Sequence, residues 1–141
     1  MMTVLAPGEL LVAIVVPRPA KGTRSAFLRQ GRVAMDLSLA SVAALVCIED
    51  DRQAPVVRLA AGAVGPVPMR LSKAEAALLG RPLDAAALVA AAEVAADEVA
   101  PITDLRASAH YRRRLVRVLC ERALRLALGA KEIHHEVHHA G

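Results

Sequence analysis

Aromatic side chains are almost missing from this 141-residue chain: Phe27 and Tyr111 stand alone, and there is no tryptophan. That scarcity removes the stacking platforms on which single-stranded nucleic acids are held, and neither zinc-ligand spacing nor a glycine-rich phosphate loop takes their place. Cysteine is nearly as rare. Cys47 and Cys120 lie far apart, each inside an apolar periodic run, a placement expected of buried free thiols in a reducing compartment rather than of a disulfide scaffold. No apolar run approaches the ~20 residues needed to cross a bilayer. The first sixteen residues also lack a basic leader and a cleavage-site pattern, so a soluble, cytoplasmic chain with no membrane partner is expected.

Catalytic signatures are missing too. No serine sits in a Gly-x-Ser-x-Gly elbow, neither cysteine has a neighbouring histidine, and no dinucleotide fingerprint follows a strand. Asp36 and the Glu49-Asp50-Asp51 group are the nearest thing to paired carboxylates, and the second reads as a charged turn. His134 and His138, and likewise His135 and His139, are spaced to share a helix face, but nothing elsewhere supplies a fixed third ligand. No metal site is expected, and residues 130–141 read as a flexible, solvated tail.

What remains is apolar and basic. Hydrophobic residues make up 55% of the chain and the net charge is +4, with arginine supplying most of the positive charge. One domain with a real core fits this length, and the abundance of alanine suits helices packed closely on a small sheet. The basic balance invites a nucleic-acid reading, which the missing stacking residues and motifs argue against.

In chain order, Pro7-Gly8 marks a turn, followed by a β-rich run to Val16 that Pro17 stops. After a linker at Pro19, Lys21 and Gly22, Ser25 to Arg32 reads as a short strand. The periodicity of Leu39 to Ile48 allows helix or strand, but Ser38 to Ile48 and Val56 to Gly65 are two β-leaning runs around the Glu49 to Arg52 turn, the pattern of a long hairpin. Gly65-Pro66-Val67-Pro68 ends the sheet. Ser72, with Glu75 three residues on, signals a capping box for a short helix closed by Gly80. Asp84 caps a second helix running from Ala85 to about Val99.

The third and longest helix is predicted from Thr103 and Asp104 to Leu128, stopped by Gly129. Leu105, Ala109, Val116, Leu119, Ala123 and Leu126 form its packed stripe, and Arg106, His110, Arg113, Arg117, Glu121 and Arg125 its wet one. Asp104 is placed to bond free amides and to pair with Arg106, Arg112 or Arg113. The fold class read from these elements is α+β: an antiparallel sheet of three or four strands, then three helices on one face.

Several of these pieces resemble one family in both wording and order. They are Pro7-Gly8-Glu9-Leu10; Phe27, Arg29 and Arg32; Gly62-Ala63-Val64 with Pro66, Pro68 and Arg70-Leu71; Ala74-Glu75-Ala76-Ala77-Leu78-Leu79-Gly80; and Asp104-x-Arg106-x-Ser108-x-x-Tyr111-Arg112-Arg113 with Leu115, Val118-Leu119 and Arg122-Ala123-Leu124. Together they are similar to the C-terminal domain of the flavoprotein (medium) subunit of molybdenum hydroxylases, the carbon monoxide dehydrogenase and xanthine dehydrogenase family. The resemblance implies that residues 1–20 are the end of an FAD-binding domain and a linker, and that residues 21–129 are the C-terminal domain.

It further implies a role in covering FAD, with Phe27 against the flavin and Arg29 and Arg32 as polar contacts. Arg29 departs from the lysine usual in the family, and guanidinium and ammonium are not interchangeable donors. The implied partners are the FAD-binding domain, an iron–sulfur small subunit that delivers electrons and a molybdopterin large subunit. Catalysis by the isolated chain is not expected, nor is tight FAD retention, because a half-site buries too little of so large a ligand. A module that only assembles or self-associates, without flavin, is the alternative of a different class.

Overall fold

The computed structural model describes residues 5–33, 36–48 and 56–129. The Glu49 to Arg52 turn and the histidine-rich tail lie outside the described residues. Four strands, β1 (Thr23–Gln30), β2 (Ala40–Cys47), β3 (Val56–Gly62) and β4 (Met69–Arg70), form one antiparallel sheet in the order β1-β2-β3-β4. Three helices follow: α1 (Ser72–Ala76), α2 (Ala85–Glu98) and α3 (Ala109–Ala127). The expected α+β class, hairpin and one-sided helical layer are all present. No described helix is long and apolar enough to cross a membrane.

Strand periodicity divides the sheet. Val42, Ala44 and Val46 of β2 and Val57, Leu59 and Ala61 of β3 point to one side and are buried, as their period of two requires. Against them pack Leu88, Ala91 and Ala95 of α2 and Val116, Cys120, Ala123 and Leu124 of α3. Leu59, Leu71, Leu78 and Leu124 are almost fully enclosed, each contributing about 2 kcal/mol of apolar burial. Both cysteines are free and buried, as expected, and burial first, then the neighbouring Glu121 carboxylate, pushes the Cys120 thiol up to about 12.

Four local expectations are corrected. Gly65-Pro66-Val67-Pro68 does not end the sheet: the prolines stay in the connection, and Met69–Arg70 after them pairs with β3 as β4. The run Leu10 to Val16 forms no strand: Leu10, Leu11, Val12, Ile14, Val15 and Val16 are 68–92% exposed. A strand requires a ladder partner, and the described residues offer it none. The Pro7-Gly8 turn before it does form, closed by Glu9 N–H donating to the Ala6 carbonyl at 3.0 Å.

The capping box at Ser72 is also replaced. Ser72 is the first residue of α1, and its helix N-terminus is capped from α2, where the Glu98 carboxylate accepts from Lys73 N–H and Ala74 N–H at 3.0 and 3.2 Å. Glu75 turns inward instead, accepting from the Leu59 N–H at 2.8 Å and from both arms of Arg70. Burial alone would raise the Glu75 carboxyl, but these hydrogen bonds and the charges of Arg70 and Arg58 outweigh it and hold it below the usual carboxylate range.

The long helix starts at Ala109, not near Thr103. Asp104 spends its carboxylate on a local turn, accepting from Arg106 N–H and Ala107 N–H at 2.9 and 3.1 Å, so Ser108 becomes the cap and accepts from Tyr111 N–H. Leu105 therefore falls outside the helix and is fully exposed rather than packed. The far end is as expected, with Gly129 in the left-handed region at φ 94°.

Arg112 is the residue around which these parts meet. It is only 3% exposed. One guanidinium nitrogen donates to the carbonyls of Leu39 and Ala63 at 2.8 and 3.1 Å, and the other to both Asp104 oxygens at 2.9 and 2.8 Å. The expected Asp104 network is thus formed with Arg106 and Arg112. Arg113 instead lies exposed on the wet face of α3.

Replacing Arg112 with Met is expected to lower stability by about 3 kcal/mol in urea unfolding, because it leaves two carbonyls without this donor and takes from Asp104 one of its two guanidinium partners. The Asp104 carboxyl lies well below its usual range, chiefly through the Arg106 N–H, with Ala107 N–H and the two guanidinium groups adding to it. The unfolded chain therefore takes up this proton first. The stabilisation is complete above about pH 4 to 5 and is lost as pH falls further. Urea midpoints measured from pH 6 down to pH 3 should fall steeply for the parent chain and less for Asp104→Asn.

Candidate cofactor-binding face

The helices cover one side of the sheet and leave the other open. On that open side the register aligns Phe27 with Ala43, Ala60 and Arg70, one row beside Ser25, Leu45 and Arg58, and another beside Arg29, Ser41 and Gly62. The central residues are small, so the strands make a shallow floor. A Cβ on Gly62 would meet the Ser41 hydroxyl at 2.7 Å, so the serine side chain occupies the space that the glycine leaves.

Phe27 stands on this face, 64% exposed, at the β1 edge. It is the sheet's one aromatic, and it is not a core plug. A depression of about 340 Å³ runs across the floor beside it, lined by Phe27, Ala43, Leu45, Arg58 and Ala60 among others. The combination of a flat apolar floor, an exposed ring at one edge and a cation at the other fits one face of a planar heteroaromatic group. Such a group is held by apolar contact with a few placed polar atoms.

Of the other two expected residues, Arg29 stands on the same open face, two residues along β1 from Phe27, and Arg32 lies past the end of that strand. Both line a second hollow of about 250 Å³ with Gln30, Gly31 and Val33. Arg29 donates to the Asp36 carbonyl at 3.1 Å, and Arg32 pairs with the Asp36 carboxylate at 2.8 Å. That pairing, with the Leu37 N–H, holds the Asp36 carboxyl below its usual range. Asp36 is accordingly a loop organiser rather than half of an acid–base pair.

Sequence reading missed Arg58. It lies in β3 between Val57 and Leu59, both buried on the core side, so the period of two alone puts it on the opposite, open face. Its guanidinium bonds the Val57 carbonyl at 3.2 Å and lies 3.8 Å from Glu75, which Arg70 already holds at 2.6 Å. Two cations share one carboxylate, leaving a net positive charge at this end of the floor.

Comparison with known proteins agrees with this architecture. The chain is 30% identical over 122 residues to the 6-hydroxypseudooxynicotine dehydrogenase complex subunit alpha of Paenarthrobacter nicotinovorans, covering 86% of this chain and 41% of that protein. It is 33% identical over 124 residues to the putative xanthine dehydrogenase FAD-binding subunit of Escherichia coli K12, covering 86% and 42%. Among solved structures, reconstituted CO dehydrogenase from Oligotropha carboxidovorans superposes with a TM-score of 0.80 at 31% identity, over 89% of this chain and 44% of that one.

The chain thus spans less than half the length of the relatives it matches. Residues 25–127, which hold the whole sheet from Ser25 onward and all three helices, match the CO dehydrogenase flavoprotein C-terminal domain. By that match the chain belongs to the family of CO dehydrogenase flavoprotein C-terminal domains.

Proposed function

We propose that this chain supplies one wall of an FAD cleft in a medium-type flavoprotein subunit, the other wall coming from an FAD-binding region. The observation that carries the reading is the open sheet face, where Phe27 is held exposed over a floor of small residues while every helix packs on the opposite side. Folding does not need a bare aromatic there, since leaving it exposed forgoes about 2 kcal/mol of burial. Phe27 gives apolar contact to the flavin, and the floor excludes water from it. Arg29 and Arg32 give polar contacts from the end of β1.

FAD, when bound, supplies reversible two-electron chemistry. In this role the subunit passes electrons from an iron–sulfur small subunit, loaded by a molybdopterin large subunit, to an acceptor. The names of the relatives, an FAD-binding subunit and a complex subunit alpha, support this placing. The chain itself contributes shape and charge rather than a reacting group. Self-association without flavin is the competing role, favoured by the exposed apolar run from Leu10 to Val16.

The test mixes the 141-residue chain and FAD with the part of the Escherichia coli FAD-binding subunit that it does not span, supplied as a separate polypeptide. Gel filtration followed by flavin absorbance should show flavin co-eluting with the mixture and not with this chain alone. Phe27→Ala should reduce the retained flavin about tenfold, the order expected for one aromatic contact. A flavin-free oligomer of this chain, unchanged on mixing, would establish the assembly role instead.

A further inference from the structure

Arg58 carries an inference that rests on the flavin reading and goes beyond it. It shares the open-face depression with Phe27, whereas Arg29, on the same face, turns toward the Asp36 carbonyl at 3.1 Å and lines a second hollow with Arg32. Its side chain is half exposed, so its charge is available to whatever covers the face. Its guanidinium is directed by the hydrogen bond to the Val57 carbonyl at 3.2 Å and by the Glu75 carboxylate 3.8 Å away. Glu75 in turn is committed to Arg70 and the Leu59 N–H, so it cannot neutralise both arginines. Leu45, directly across the strand pair from Arg58, brings no counter-charge.

We propose that Arg58 is the residue of this chain that tunes the reduction potential of the flavin, by presenting a fixed positive charge to the covered face. A reduced flavin carries more negative charge than an oxidised one. A held cation beside the site therefore favours the reduced form and raises the potential, and the effect is strengthened where the covering surfaces exclude water. Arg58 acts here as an electrostatic positioning group and takes no part in proton or electron transfer.

The experiment uses the flavin-loaded mixture described above and measures the midpoint potential by reductive titration against reference dyes. Arg58→Gln should destabilise the reduced flavin about tenfold, a fall of about 30 mV for a two-electron couple, read on the flavin-loaded fraction. Arg58→Lys should keep the potential of the parent chain. Arg58→Met, a second neutral replacement, should reproduce the fall and gives an independent measure should Arg58→Gln fold poorly. An unchanged potential of the flavin-loaded fraction in both Arg58→Gln and Arg58→Met would overturn the role of Arg58 and leave the flavin reading intact. A parent mixture that retains no flavin would overturn that reading, and this inference with it.

Discussion

A single buried guanidinium fixes the relation between the sheet and its longest helix. Arg112 reaches from the first turn of α3 to the carbonyl just before β2, to the carbonyl just after β3 and to the carboxylate of the loop that delivers α3. Ala63, one of these acceptors, lies in the left-handed region at φ 62°, a conformation that costs about 1 kcal/mol in a residue with a Cβ. Its carbonyl is thereby aimed at Arg112. The Nε–H of Arg112 is buried without a partner among the described residues, so even this network is not fully satisfied. A buried ion pair is a poor source of net stability, but it is an effective way to specify one docking geometry.

From that docking follows the one-sidedness of the sheet. With α3 pinned across β1 and β2, and α1 joined to β3 through Glu75, all the helical surface is committed to one side. The opposite face is left with small side chains in the middle, a ring at one margin and cations at the other. Its character comes from what is not there, since large apolar residues at positions 43 and 60 would fill the depression that Phe27 overlooks. The same arginine-rich usage that makes the chain basic thus divides into two tasks. Arg112 holds the core together, while Arg58 and Arg70 set the charge at the rim of the open face.

Much of this architecture was readable from the residues. Two β-leaning runs, Ser38 to Ile48 and Val56 to Gly65, around a charged turn gave the hairpin, Asp84 gave the start of α2, and Gly129 gave the end of α3. What escaped were choices among competing hydrogen bonds. Asp104, Thr103 and Ser108 all qualify as caps by type, and only three-dimensional placement shows that Asp104 serves its own turn and the buried Arg112. Glu75 and Ser72 form a capping box in sequence, but a strand N–H and an arginine outbid the helix for the carboxylate. Leu10 to Val16 has strand composition without a strand, because composition cannot report whether a neighbouring ladder exists. At the candidate site, Phe27 was found through family wording, whereas Arg58 needed only the parity of its strand.

The cap that Glu98 places on α1 has a consequence for how the chain opens. Five residues are far too few to persist as a helix unaided, so α1 borrows its persistence from the last turn of α2. The two segments should therefore lose amide protection together, as one cooperative unit in native-state hydrogen exchange. Since α1 also carries Glu75, fraying at the distant end of α2 would loosen the carboxylate that holds the arginines of the open face, linking local breathing on the helical side to the charge presented on the other.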